Sequence, residues 1–114
     1  LGLPAPHEPA ECEPAWYRYV LMLDGDADPF IDEMKRRGVE CRRPVYKPLH
    51  RYLRLPGYET SERAWRRAVS IPLYPALTGA EIETILKALR LALPKHCTGR
   101  GHEAGTLGQA SRAC

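Results

Sequence analysis

The stretch "GVECRRPVYKPLHRY", residues 38–52, has neither a helical nor a strand period, and it sits in the middle of the chain's apolar segments. It holds adjacent arginines, two prolines, a lysine, a histidine and two tyrosines. So cationic a run is no core segment. Its prolines each fix a backbone φ and lower the entropy lost in holding a loop still, so it is no ordinary solvated tail either. Whatever fold the chain adopts must therefore be built from short elements on both sides of a long, stiff, basic loop.

The elements on either side are legible. "WYRYVLML" is rich in aromatic and β-branched residues and predicts a strand. Tyr17, Tyr19, Leu21 and Leu23 fall on one face, with Arg18, Val20 and Met22 on the other. Both faces are mostly apolar, which predicts a central strand covered on both sides. "DGDADPFIDEMKRRG" reads as a turn and a helix, with Asp28 as N-cap, Pro29 at the first helical position, Lys35 to Arg37 in the last turn and Gly38 as a left-handed stop. Phe30, Ile31 and Met34 form its apolar stripe, and "VEC" then resumes as a short strand.

Beyond the loop a helix is expected from about Ser61 to Ala68, with Ala64, Trp65 and Ala68 inward, followed by "SIPLYPALT" as an extended piece and turn. Thr78 and Glu81 form a T-x-x-E capping box ahead of Ile82, Ile85, Leu86 and Leu89 at helical spacing. Residues 1–14, proline-spaced and acidic, read as a linker; residues 15–93 are the expected ordered domain. After Pro94 the glycine-punctuated sequence has no apolar period, and residues 94–114 are expected to be a disordered tail. The fold class that follows is a two-layer α/β (α+β) arrangement, a small open sheet packed with about three helices. A core of about 80 residues is small for independent stability.

Charge is segregated. Residues 1–34 carry eight acids and one base, whereas residues 35–67 carry eleven bases and three acids. Such a block attracts phosphates and acidic surfaces; a solvated helix face is the competing reading for Arg36, Arg63, Arg66 and Arg67. No aromatic–basic platform or recognition helix accompanies the charge, so nucleic acid is not an expected partner. No apolar run is long enough to cross a bilayer, and no membrane partner is expected. Cys12, Cys41, Cys97 and Cys114 show no C-x-x-C spacing, which indicates neither zinc nor a disulfide framework and suits the reducing cytoplasm. A metal site from His96, Cys97 and His102 lacks a complete ligand set.

The order "YRYV", "PFIDEMKRRGVE", "RRPVYKPLH", "LPGY" and "ERAWRRAVSIPLYPALTGAEIETILKAL" resembles the C-terminal small domain of the DegT/DnrJ/StrS sugar aminotransferases. The likeness covers about 75 residues, and "RPVYKPLH" and "SIPLYPALT" are its most specific parts. It implies an enzyme that uses pyridoxal phosphate (PLP) to move an amino group from an amino acid to a keto-sugar linked to a nucleotide. It also implies a homodimer, with the active site at the subunit interface. The family's Schiff-base lysine, the acid that pairs with the pyridine nitrogen and the phosphate cup lie in an upstream large domain. This chain alone is therefore expected to bind no cofactor and to be inactive. By the same resemblance the basic loop reaches over the active site, with His50 toward the sugar. Arg43 would offer a fork for a carboxylate or diphosphate, Tyr46 a stacking or hydrogen-bonding face, and Lys47 a point charge for phosphate. Each has a structural alternative: His50 could cap loop carbonyls, Arg43 could brace the domain boundary to an acidic partner residue, and Tyr46 could simply pack. A binding module that grips sugar nucleotide or another anion without chemistry is the alternative function.

Overall fold

In the computed structural model, residues 10–13 and 15–97 are described. The elements run β1 (Tyr19–Met22), α1 (Ala27–Arg36), α2 (Leu49–Leu53), α3 (Glu59–Arg67), β2 (Ala68–Ile71) and α4 (Gly79–His96). β1 and β2 pair antiparallel, with Tyr19 opposite Ile71 and Met22 opposite Ala68. On the other side of β2, Arg42 and Ser70 exchange both backbone hydrogen bonds, at 3.1 and 2.7 Å. β2 is thus the middle of the small sheet and β1 its edge. The described residues thus form a small α/β domain with four helices and a two-stranded sheet.

Local chemistry sets the boundaries. Asp26 caps α1: its backbone is extended and its carboxylate accepts from the Asp28 N–H at 3.0 Å. The helix stops where Gly38 takes φ +80°. There the Gly38 N–H bonds the Lys35 carbonyl and the Val39 N–H bonds the Met34 carbonyl, both at 3.0 Å, a Schellman closure that needs the left-handed residue. At α4 the Thr78–Glu81 capping box is complete in both directions.

The core lies between the sheet and the helices α1 and α4. Phe30, Leu23, Met34, Leu89 and Val69 are its largest fully buried side chains. Burying each contributes on the order of 2–3 kcal/mol. Glu33 is the one buried charged residue among the described residues. It fastens α1 to the end of α4, accepting from Arg37 at 2.7 Å and Lys95 at 2.9 Å, with His96 Nε2 at 3.2 Å. Hydrogen bonds from Arg37, then Lys95, outweigh burial and hold its carboxyl down to about 2. No helix among the described residues is long and apolar enough to cross a membrane.

Several expectations need correction. Asp26, not Asp28, is the N-cap, because its carboxylate reaches the Asp28 N–H. The first strand is an edge: Leu21 and Leu23 are buried but Met22 is half exposed. "VEC" forms no strand, and Arg42 alone bridges β2. Ala68 belongs to β2 rather than to the helix before it, because pairing with Met22 outweighs its helix propensity. Ala64, expected to face inward, is exposed, and the loop contains a short helix, α2. α4 runs through Pro94 to His96. The linker expected over 1–14 lies outside the described residues except at 10–13, as does the tail from 98 onward.

Candidate functional site

α3 is almost wholly polar, yet it carries Glu62, Trp65 and Arg66 at three- and four-residue spacings that place them on one face. The segment from Arg43 to Tyr58 packs against that face. Arg43 is its anchor. Nε donates to Asp28 at 3.2 Å, Nη2 to Asp26 and Asp28 at 2.7 Å each, and Nη1 to the Trp65 and Arg66 carbonyls at 2.8 Å each. All five guanidinium N–H groups are therefore used inside the domain. Its carbon also lies 4.4 Å from the centre of the Trp65 ring, and that of Arg51 lies 4.3 Å away. Trp65 Nε1 donates to the Val45 carbonyl at 2.8 Å and Arg18 to the Pro44 carbonyl at 3.0 Å, so the root of the loop is fixed from two sides.

Glu62 gathers the next layer. It accepts from Arg51 Nε at 2.9 Å, from Arg51 Nη2 and from Arg66 Nε at 2.8 Å, and His50 Nε2 lies 3.2 Å from its Oε2. Arg51, then Arg66, holds its carboxyl down to about 2 against the opposing effect of burial, with His50 adding to the depression. The His50 ring is stacked on Tyr58, 5.5 Å between centres and 12° between planes. Lys47 stands 4.6 Å over the Tyr52 ring.

The outward side of the same segment is apolar and uncovered. Tyr46 is 88% exposed and Leu49 70%, and Val45, Tyr52, Leu53, Leu55 and Tyr58 are all exposed as well. Seven exposed apolar side chains thus lie within this one segment.

The sequence matches the DegT/DnrJ/EryC1/StrS aminotransferase family over residues 2–90. The chain belongs to that family. No solved structure matches it significantly.

This aminotransferase family is generally PLP-dependent. PLP needs an imine-forming amine held beside a carboxylate and a phosphate cup. The residues here do not fit that need on their own. Of the chain's four lysines, Lys95 is paired with Glu33, Lys47 lies on Tyr52, and Lys35 and Lys87 are exposed on helices. Neither of the two surface clefts described, of about 450 and 440 Å³, is lined by a lysine.

Of the residues singled out from sequence, His50, Arg43 and Lys47 each contact a neighbouring side chain and Tyr46 points to open surface. Trp65 faces the loop, not the core. His96, weighed as a metal ligand, is beside Glu33 instead, and His102 lies outside the described residues. Nothing in the sequence pattern sets Glu62 apart from its charged neighbours except its position three residues before Trp65 and four before Arg66.

Proposed function

We propose that this chain is the substrate-side domain of a PLP-dependent aminotransferase that transfers an amino group from an amino acid to a keto-sugar carried on a nucleotide. In this reading the Schiff-base lysine, its acid partner and the phosphate cup come from residues outside the chain, in a large domain and a second subunit of a homodimer. PLP supplies the electron sink for the transfer. The present residues bind and orient the sugar nucleotide and exclude water. The cytoplasm suits such an enzyme, given the free thiols of Cys12, Cys41 and Cys97.

The observation that supports this most is the two-sided build of residues 43–58, rigid behind and bare in front. Arg43 and Trp65 hold the rear, while Tyr46 and Leu49 stand out from the domain. A loop held still before its ligand arrives loses less entropy on binding. Arg43 we assign to bracing rather than to the ligand, because its donors are all taken. Tyr46 offers a stacking face, Lys47 a point charge for phosphate, and His50 a hydrogen-bonding group for the sugar.

In the enzyme that carries this domain, Tyr46→Ala should raise KM for the keto-sugar nucleotide about tenfold, near 1.4 kcal/mol. The half-reaction with the amino acid should be nearly unchanged, and the stability of the domain should move by less than about 0.5 kcal/mol. An equal loss in both half-reactions would remove the substrate-side assignment.

A further inference from the structure

We propose that Glu62 is a positioning residue that holds His50 in a single tautomer, with the proton on Nε2 and the lone pair left on Nδ1 as a hydrogen-bond acceptor for the ligand. The part concerning the ligand rests on the function proposed above; the tautomer does not.

Glu62 is ionised throughout the physiological range, since Arg51, Arg66 and His50 keep its carboxyl near 2. An ionised carboxylate has no proton to give and only accepts. His50 Nε2, 3.2 Å from Oε2, must therefore be the donor of the pair. In a neutral imidazole one nitrogen carries the hydrogen and the other the lone pair, so Nδ1 is the acceptor. Ring orientation is constrained as well. The flat stack on Tyr58 sets the plane, and Arg51 fixes the carboxylate through two hydrogen bonds. The charged and titratable groups around the imidazole are Glu62 and Arg66 on α3, Arg51 beside it on α2, and Tyr58 at the start of α3.

Nδ1 has no hydrogen-bond partner among the described residues. The side chain is also not sealed off, with 12% of its surface exposed. A lone pair at that point takes a hydroxyl or an N–H and has nothing to offer a phosphate oxygen or a carboxylate. The tautomer thereby sorts ligands. Sugar hydroxyls suit Nδ1, and diphosphate must be held elsewhere, which leaves it to Lys47 or to residues of another domain.

The test is spectroscopic. Long-range proton–nitrogen correlations of the full ¹⁵N-labelled chain, with His50 assigned by comparison with His50→Gln, report which ring nitrogen carries hydrogen above neutral pH. A single Nε2–H form is expected. An Nδ1–H form, or an averaged mixture in the unsubstituted chain, overturns the proposal. Glu62→Gln should give an averaged signal, because a carboxamide can turn either its oxygen or its nitrogen toward Nε2. If that variant keeps the single form with the remaining spectrum unchanged, Glu62 is not what sets it. In the enzyme that carries this domain, UDP-glucose should shift the Nδ1 resonance more than inorganic phosphate does. If Nδ1 does not respond while the Nε2–H form persists, the substrate-side reading fails and the role of Glu62 stands.

Discussion

Arg43 shows how much one side chain can organise when its shape matches its surroundings. A guanidinium presents five N–H groups in a plane, and here Asp26 and Asp28 at the start of α1 and two carbonyls near the end of α3 meet all of them. Lysine has three donors at one point and cannot span that set. Arg43→Lys should therefore destabilise the domain by about 2 kcal/mol, chiefly by leaving the Trp65 and Arg66 carbonyls and the Asp26 carboxylate short of donors. Urea unfolding of the two chains measures it, and a change under about 0.5 kcal/mol would mean that water replaces the fork without loss. The sequence did mark Arg43 as a fork for an anion. It could not say that the anions are Asp26 and Asp28 of the same chain, because that pairing exists only once α1 and the loop are brought side by side.

Among the elements, the start of α4 was the most legible. The capping box of α4 depends on residues three apart, and it formed as expected. Thr78→Ala should lower stability by about 1 kcal/mol, again read from urea unfolding, while Thr78→Ser should recover most of it. A loss as large in the serine variant would assign the effect to the methyl group instead of the hydroxyl. The junction of α3 and β2 was not legible. Ala64 and Ala68 are both strong helix formers, and Ala68 is extended only because Met22, far away in sequence, pairs with it. The loop likewise hid α2, whose five residues are too few to show a period.

At the scale of the whole molecule, the segregated charge of the sequence is folded onto itself. Acids of the first third, Asp26, Asp28 and Glu33, meet Arg43, Arg37 and Lys95, so part of the basic block is answered within the domain. Composition could announce the two blocks but not their pairing. Glu33 and Glu62 are both held near 2, below the ordinary carboxylate value of 4.5. A depressed folded-state value means stabilisation that is fully present above 4.5 and is lost as pH falls toward 2. The urea midpoint should therefore drop across that window, and Glu33→Gln should lower it at neutral pH while flattening the acid slope. An unchanged slope in that variant would show that Glu33 is not among the groups responsible.

Pro94 gives that titration a place to begin. Having no N–H, it leaves the Arg90 carbonyl without one of the rungs that tie the final turn of α4 to the helix behind it. Lys95 and His96, on the far side of that gap, are secured to Glu33 across the interface. On acidification the helix should fray from this end first, shortening by one turn while Leu89 and Phe30 still exclude water, and amide exchange at Cys97 would quicken before any exchange in the interior.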